Sequence, residues 1–416
     1  MWQAVTLEDW MAMRGTGISA VRPVVEEIIG RVREGGDRAL RELTLKFDGV
    51  SLEDIAVSED ERDAAYEKID RSLLDSLLEA EARITRFHEL QVPRELWLEE
   101  VEPGITLGVK TTPMDRVGAY IPGGRAAYAS SALMCAIPAR VAGVSSLCCC
   151  SPPPIAPLTL VAMDIAGFDE IYSVGGAQAI AAMALGTGSI RPVQKIVGPG
   201  NVYVTMAKKL LREHAEIDFP AGPSEIVILA DDSSRAEFIA SDLLAQAEHD
   251  PLAACLLVCT DTSLPSRVGE FLHTQVTDAR RKGIIDRAME NSGYLVVESL
   301  EEGIEAANRA APEHLSLQVR DPLFVLREIR NAGSIFVGPY SAVACGDYAS
   351  GTNHVLPTAG AARIHSGLDV AHFCKRSSVQ ILSREGLETL GDPVETLSTA
   401  EGLEAHARSV KIRRFP

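Results

Sequence analysis

From about residue 105 onward, short apolar runs end repeatedly in glycine turns and give way to helical stretches, and this alternation constrains the fold more than any other feature. Val117–Ile121 runs into Pro122-Gly123-Gly124, Glu170–Val174 into Gly175-Gly176, and Lys195–Val197 into Gly198-Pro199-Gly200-Asn201. A second round has apolar runs at 225–229, 254–259, 293–297 and 334–337, with helical stretches at 235–248, 263–290 and 300–310. Strand, turn and helix in alternation predict parallel sheets covered by helices, an α/β fold. The N-terminal hundred residues read as an amphipathic helical arm over 18–47 and 59–90, with Ile69, Leu73, Leu74, Leu77, Leu78 and Ala80 at near-helical spacing in the second stretch. Gly35-Gly36 reads as a break, with Asp37 as N-cap of the helix that follows. Beyond residue 370 the chain offers one strand, Ser378–Leu382, and two short helices. That is too little for a core of its own, so the tail is expected to dock on the body or on a neighbouring subunit.

A chain of 416 residues suggests two or three domains. With 58 acidic against 40 basic residues, a net charge of −18, it has no basic face for phosphate backbones. Aromatics at 5% leave few platforms for stacking single strands, so nucleic-acid binding is disfavoured. The N-terminus lacks a basic region followed by an apolar one, and the most apolar run, 133–149, is broken by Pro138, Arg140 and Gly143. The eight cysteines form no CxxC pair, and Cys148-Cys149-Cys150 are adjacent, which suits reduced, buried thiols. A cytoplasmic, acidic enzyme is expected.

The glycine turns let backbone N–H groups approach a phosphate at a helix N-terminus, although ordinary turns look the same and the GxGxxG fingerprint is absent. Gln246 and His249 lie three apart, a spacing that places an amide oxygen and an imidazole on one helical face; an unliganded surface pair has the same spacing. Asp347 and His354 fall in a polar, glycine-rich stretch after the 334–337 strand, where α/β proteins place functional groups. Glu313-His314, after Pro312, puts two proton-transfer groups side by side, or makes a polar loop. Taken alone, His406 on the C-terminal helix reads as a solvated residue.

Together these stretches resemble the histidinol dehydrogenases. The strings that carry the resemblance are REGGDRALRELTLKFDGV (33–50), RVGAYIPGG (116–124), VGGAQAIAA (174–182), KIVGPGNVYV (195–204), AGPSEIVILAD (221–231), SDLLAQAEHD (241–250), NRAAPEHL (308–315), NAGSIFVGPYSAVACGDYASGTNHVLPT (331–358) and AEGLEAHARSV (400–410), in order over almost the whole chain. The resemblance implies two incomplete Rossmann-like, aldehyde-dehydrogenase-like α/β domains. Their expected bounds are an arm at 1–105, an NAD-binding domain at 106–222, a metal and catalytic domain at 223–370, and a dimerising tail at 371–416. It implies Zn²⁺, with Mn²⁺ as an alternative, held by Gln246, His249, Asp347 and by His406 of a partner copy. L-histidinol would be bound through Ser224, His314, His354, Glu401 and the metal ligands, and NAD through Tyr120, Gln178 and Asn201.

The implied chemistry is a four-electron oxidation of L-histidinol to L-histidine through the aldehyde. His314 would be the base, and Glu313 would activate the water in the second oxidation. A covalent route through Cys135 is the alternative for that step, but the apolar setting of Ala132–Ile137 reads as a structural thiol. The rivals are a relative acting on another small alcohol, such as a sulfonated diol, and a non-catalytic metal- or nucleotide-binding regulator. Glu401, His406 and the intact Glu313-His314 pair favour the histidinol reading.

Overall fold

The computed structural model describes residues 2–14, 18–123, 127–220, 222–277 and 279–415, so Gly124 of the first glycine turn lies outside the described residues. Strands β1 (Leu96–Glu102) and β2 (Ile105–Pro113) form an antiparallel hairpin. Next come β3 (Arg116–Tyr120), β4 (Ser146–Cys150), β5 (Glu170–Tyr172), β6 (Lys195–Val197) and β7 (Glu216–Ile217), which make a wholly parallel sheet in the order β5-β4-β3-β6-β7. The next five, β8 (Glu225–Ala230), β9 (Ala254–Cys259), β10 (Gly293–Val296), β11 (His314–Gln318) and β12 (Ser334–Val337), repeat the pattern as β10-β9-β8-β11-β12. Each sheet starts in its middle, winds out to one edge and then returns to build the other. This is the doubly wound order of a Rossmann unit without its sixth strand. The α/β reading from sequence is borne out.

Burial explains the composition of these strands. β8 and β9 are buried at every position, and their sequences EIVILA and ACLLVC are almost continuously apolar, as parallel strands covered on both faces must be. The cysteine triplet ends β4 in the same way.

The N-terminal arm is not helical throughout and does not stay on one body. Residues 3–5 pair with the edge strand β10 around Tyr294, and Trp10 is fully buried beside Val227 and Leu229 of β8. Helix Arg22–Asp48 then crosses to the first sheet and packs on helices Gly176–Leu185 and Val202–Leu210. Helices Glu59–Tyr66 and Arg71–Glu89 cover helices Pro157–Ala166 and Ala129–Val141. Gly36, at φ +52°, kinks the long helix as expected, but Asp37 spends its carboxylate elsewhere, accepting from the N–H and hydroxyl of Ser189. The single helix expected at 263–290 divides into Leu264–Val276 and Lys282–Ala288, because the apolar periodicity lapses over the polar run between them.

The tail strand β13 spans Cys374–Leu382 and pairs antiparallel with β2, completing a three-stranded sheet with β1 at its far edge. All seven residues of β1 are exposed. Helices Arg384–Ala400 and Glu404–Arg414 pack on each other. No helix among the described residues is long and apolar enough to cross a membrane.

The turn after β6 shows how tightly the first sheet holds its rim. Gly198 has φ +108°, and a Cβ there would lie 2.3 Å from the Tyr120 carbonyl oxygen. Its N–H donates to Asp218, its carbonyl accepts from Lys208 Nζ at 2.6 Å, and Lys208 and Asp218 form a buried ion pair at 2.8 Å. Gly198→Ala meets both the backbone penalty and the clash, and is expected to cost about 2 kcal/mol or more in a urea unfolding titration.

Candidate active site

The site begins where β8 and β11 start. Both run parallel with His314 opposite Ile226, so their N-terminal ends lie side by side. Glu225 and Glu313 clasp there. The Glu225 N–H donates to Glu313 Oε2 at 2.8 Å, and the Glu313 N–H donates to Glu225 Oε1 at 3.2 Å. His314 is therefore the first residue of a central strand, between β8 and β12, and not part of a polar loop. The preceding proline and the charged pair hide the strand in the sequence.

Asp347 approaches from helix Val343–Tyr348, where a loop was expected. Its Oδ1 lies 3.7 Å from His314 Nε2 and its Oδ2 lies 4.0 Å from His249 Nε2. On the other side of the ring, His314 Nδ1 is 3.6 Å from Glu313 Oε2, and Phe336 packs at 5.7 Å between centroids. His354 donates from Nδ1 to the Asp347 carbonyl at 2.8 Å, which leaves Nε2 to accept from Ser131 Oγ at 3.3 Å. Ser131 belongs to helix Ala129–Val141, the first helix after β3. The cluster thus sits between the N-terminal edge of the second sheet and the helix that leaves the C-terminal edge of the first.

Gln246 lies on helix Ala236–Ala247, which ends one residue later, so His249 occupies the turn beyond and the pair straddles the helix end. The two remain joined through the main chain, where the His249 N–H donates to the Gln246 backbone carbonyl at 3.3 Å. Gln246 is 2% exposed. Both atoms of its side-chain amide are buried without a hydrogen-bond partner among the described residues, and so are both ring nitrogens of His314. A buried polar atom left unpaired costs on the order of 1–3 kcal/mol, so these four atoms, two on Gln246 and two on His314, mark a place where a polar ligand would be stabilising.

Burial sets the electrostatics. It drives the His314 pKa down to about 4 against the partial opposition of Asp347, and it lowers that of His354 in the same way. It raises the Glu313 pKa well above the ordinary carboxyl range, with the charges of Glu225 and Asp347 adding to the effect. Sequence reasoning missed Asp242, one turn before Gln246 on the same helix face. This buried carboxyl is pushed up to about 6 by burial and accepts the backbone N–H of Val343, where the Asp347 helix begins. Its i, i+4 spacing from Gln246 was the available signal. Acidic groups with oxygen and imidazole donors suit a divalent cation of the zinc or manganese kind, so the residues fit the expected group.

The tail is not part of this cluster within one chain. Among the described residues, no polar contact of Asp347, His249 or His314 involves Glu401 or His406, which are both exposed. Ser224 is half-buried, immediately before β8. At the first sheet, Tyr120 ends β3 with its hydroxyl buried, accepting the Gly176 N–H at 3.1 Å, and burial lifts its pKa to about 12. Gln178 is buried near the start of the next helix, and Asn201 caps helix Val202–Leu210 by accepting the N–H groups of Tyr203 and Val204. Cys135 is wholly buried, its thiol pushed up by burial and by the nearby Asp218 charge, so it has no route to a substrate.

The family model for histidinol dehydrogenase matches residues 12–414. The chain belongs to the histidinol dehydrogenase family. It is 51% identical over 404 residues to the histidinol dehydrogenase of Methanosarcina barkeri, covering 96% of this chain and 93% of that one. It is 46% identical over 416 residues to that of Archaeoglobus fulgidus, covering 99% and 97%. The crystal structure of histidinol dehydrogenase from Elizabethkingia anophelis superposes with a TM-score of 0.95 at 36% identity, covering 99% of this chain and 97% of that one.

In metal-free protein, His314 takes up its proton near pH 4, whereas the unfolded ring does so near 6.5. The unfolded chain therefore binds more protons between these values, and stability falls as pH drops through that window, by roughly 3 kcal/mol at pH 4. His314→Asn is expected to flatten this part of the curve in urea titrations from pH 7 to pH 4.5.

Proposed function

We propose that this chain oxidises L-histidinol to L-histidine in two successive NAD-linked steps, with a divalent metal at Gln246, His249, Asp347 and a partner copy's His406. The observation that carries this reading is the Asp347 carboxylate set between the His249 and His314 rings, in a chain that also buries the Gln246 amide and the His314 ring nitrogens without partners. Family membership supports the substrate, and the rim of the first sheet, with its three glycine turns, supports NAD as the electron acceptor.

When bound, the cation would hold the amino group and imidazole of the substrate and so fix the position of the alcohol. His314 is neutral at physiological pH because its pKa is lowered, so its Nε2 is free to accept the alcohol proton as hydride passes to NAD⁺. Asp347, beside Nε2, compensates the imidazolium that forms. Glu313 then takes a proton from the water that adds to the aldehyde, the His314 imidazolium returns its proton to the carbonyl oxygen to give the gem-diol, and His314, neutral again, accepts a hydroxyl proton as hydride passes to a second NAD⁺. The overall change consumes histidinol, two NAD⁺ and water and yields histidine, two NADH and protons. Ser224 and His354 would line the substrate, and Asn201, Gln178 and Tyr120 would shape the cofactor rim. Glu401 and His406 would enter from the tail of a second copy. The exposed Leu397, Leu403, Ile412 and Phe415 on and beside the tail helices support that exchange in a homodimer.

Purified protein given L-histidinol should form two NADH per histidine, lose this activity to a chelator and regain it with Zn²⁺ or Mn²⁺. NADH from a different alcohol, with none from histidinol, would overturn the substrate. Glu313→Gln should slow histidinaldehyde oxidation by roughly 100-fold or more while sparing histidinol oxidation. The wild-type aldehyde step should fall off on the acid side at a higher pH than an ordinary carboxylate gives, because Glu313 works deprotonated and its pKa is raised. Glu313→Gln and His406→Ala proteins, each deficient alone in forming histidine, should on mixing recover about a quarter of the wild-type rate of histidine formation, since half the random dimers are hybrids with one intact site of two. No recovery on subunit exchange would place His406 in its own chain's site.

A further inference from the structure

Beneath the catalytic strand lies a buried charge cluster that the reaction above leaves unused. The Arg14 and Glu225 side chains are 6% and 2% exposed and pair at 3.0 Å. Glu225 Oε1 gathers three segments of chain: it accepts from Arg14 Nη1, from the Glu313 N–H at 3.2 Å and from the Ala359 N–H at 3.0 Å, five residues beyond His354. The same Arg14 Nη1 donates to the Ala310 carbonyl at 3.0 Å. Between Ala310 and Glu313 the chain makes a strained turn, with Ala311 at φ +46°, a left-handed conformation costly for any residue with a side chain. Arg14 itself is held by the face of Trp10, at 4.5 Å from the ring centroid.

A buried ion pair is weak evidence for stability, because desolvation offsets most of its attraction. Its geometry here is informative instead. Arg14 bridges both sides of the strained turn, through Ala310 before it and through Glu225 to Glu313 after it. Glu225 in turn fixes Glu313 at both its backbone and its carboxyl oxygen. We infer that Arg14 and Glu225 are positioning residues for Glu313, so that the N-terminal arm sets the geometry of water activation in the second oxidation. This rests on the proposed role of Glu313. The Glu313 carboxyl is the group whose aim depends on the clasp, whereas His314 is additionally fixed by its place in β11 and by Phe336. Loosening the clasp therefore falls mainly on the aldehyde step.

The experiment compares full-length, metal-loaded Arg14→Met, Arg14→Lys, Glu225→Gln and Glu313→Gln with wild type, measuring kcat and KM separately for L-histidinol and for L-histidinaldehyde. Arg14→Met and Glu225→Gln are expected to lower kcat for the aldehyde at least tenfold more than kcat for the alcohol, with KM values within about threefold. Arg14→Lys, which keeps the charge but not the reach to both partners, should fall between. If Arg14→Met does not fold, Arg14→Lys and Glu225→Gln decide the matter. Equal loss in both steps, or no loss, while Glu313→Gln shows the split, overturns the positioning role and leaves Glu313 in place. No split in Glu313→Gln itself removes the role of Glu313, and the inference with it.

Discussion

A parallel sheet covered on both faces can offer a ligand only its ends, and everything functional in this chain follows from that restriction. The faces of β3, β4, β8 and β9 are consumed by packing, so the reactive groups gather at strand termini and in the turns beside them. The two sheets have the same winding but use opposite ends. The first presents its C-terminal rim, with the turns at Gly175 and Gly198, where doubly wound folds bind nucleotides. The second presents the starts of β8, β11 and β12, where Glu225, Glu313 and His314 stand together. Helix Ala129–Val141 joins the two edges through Ser131 and His354.

Setting chemistry at the start of a strand has an electrostatic cost. Glu225, Glu313, Asp347 and Asp242 are all buried, and Arg14 pairs with Glu225 among them. Burial, with the charges of Glu225 and Asp347 adding to it, raises the pKa of Glu313, and burial lowers that of His314. The two adjacent residues thus move in opposite directions and exchange their usual order. Both shifts favour the neutral form, which lets the buried pair sit beside one another without opposed full charges.

Much of this was legible in the sequence, and what was not has identifiable reasons. Strands such as β6, β8 and β9 announce themselves because burial on both faces leaves continuous apolar runs. β11 was hidden because its first residue is a histidine preceded by glutamate and proline, which is what a turn looks like. β1 was missed because its Leu-Trp-Leu-Glu-Glu-Val-Glu pattern has no covered face to impose alternation. Gln246 and His249 were singled out for sharing one helical face, but the helix ends between them, because a spacing of three does not show where a helix stops. Glu225 stood inside a quoted motif and Arg14 near the N-terminus, but no local pattern connects residues 211 positions apart, and only the fold reveals their pairing.

The path of the N-terminal arm bears on how the molecule can move. Residues 3–14 are stitched to the second sheet through β10, Trp10 and Arg14, while the helices from Arg22 to Glu89 clothe the first. The arm is thus a strap fastened at both ends across the junction. Parting the two halves like a hinge would have to extract a buried tryptophan and a buried arginine, so wide opening is far costlier than local rearrangement of the rim. Small molecules would then reach the buried cluster by way of the turns at the sheet edges, without the two halves having to part.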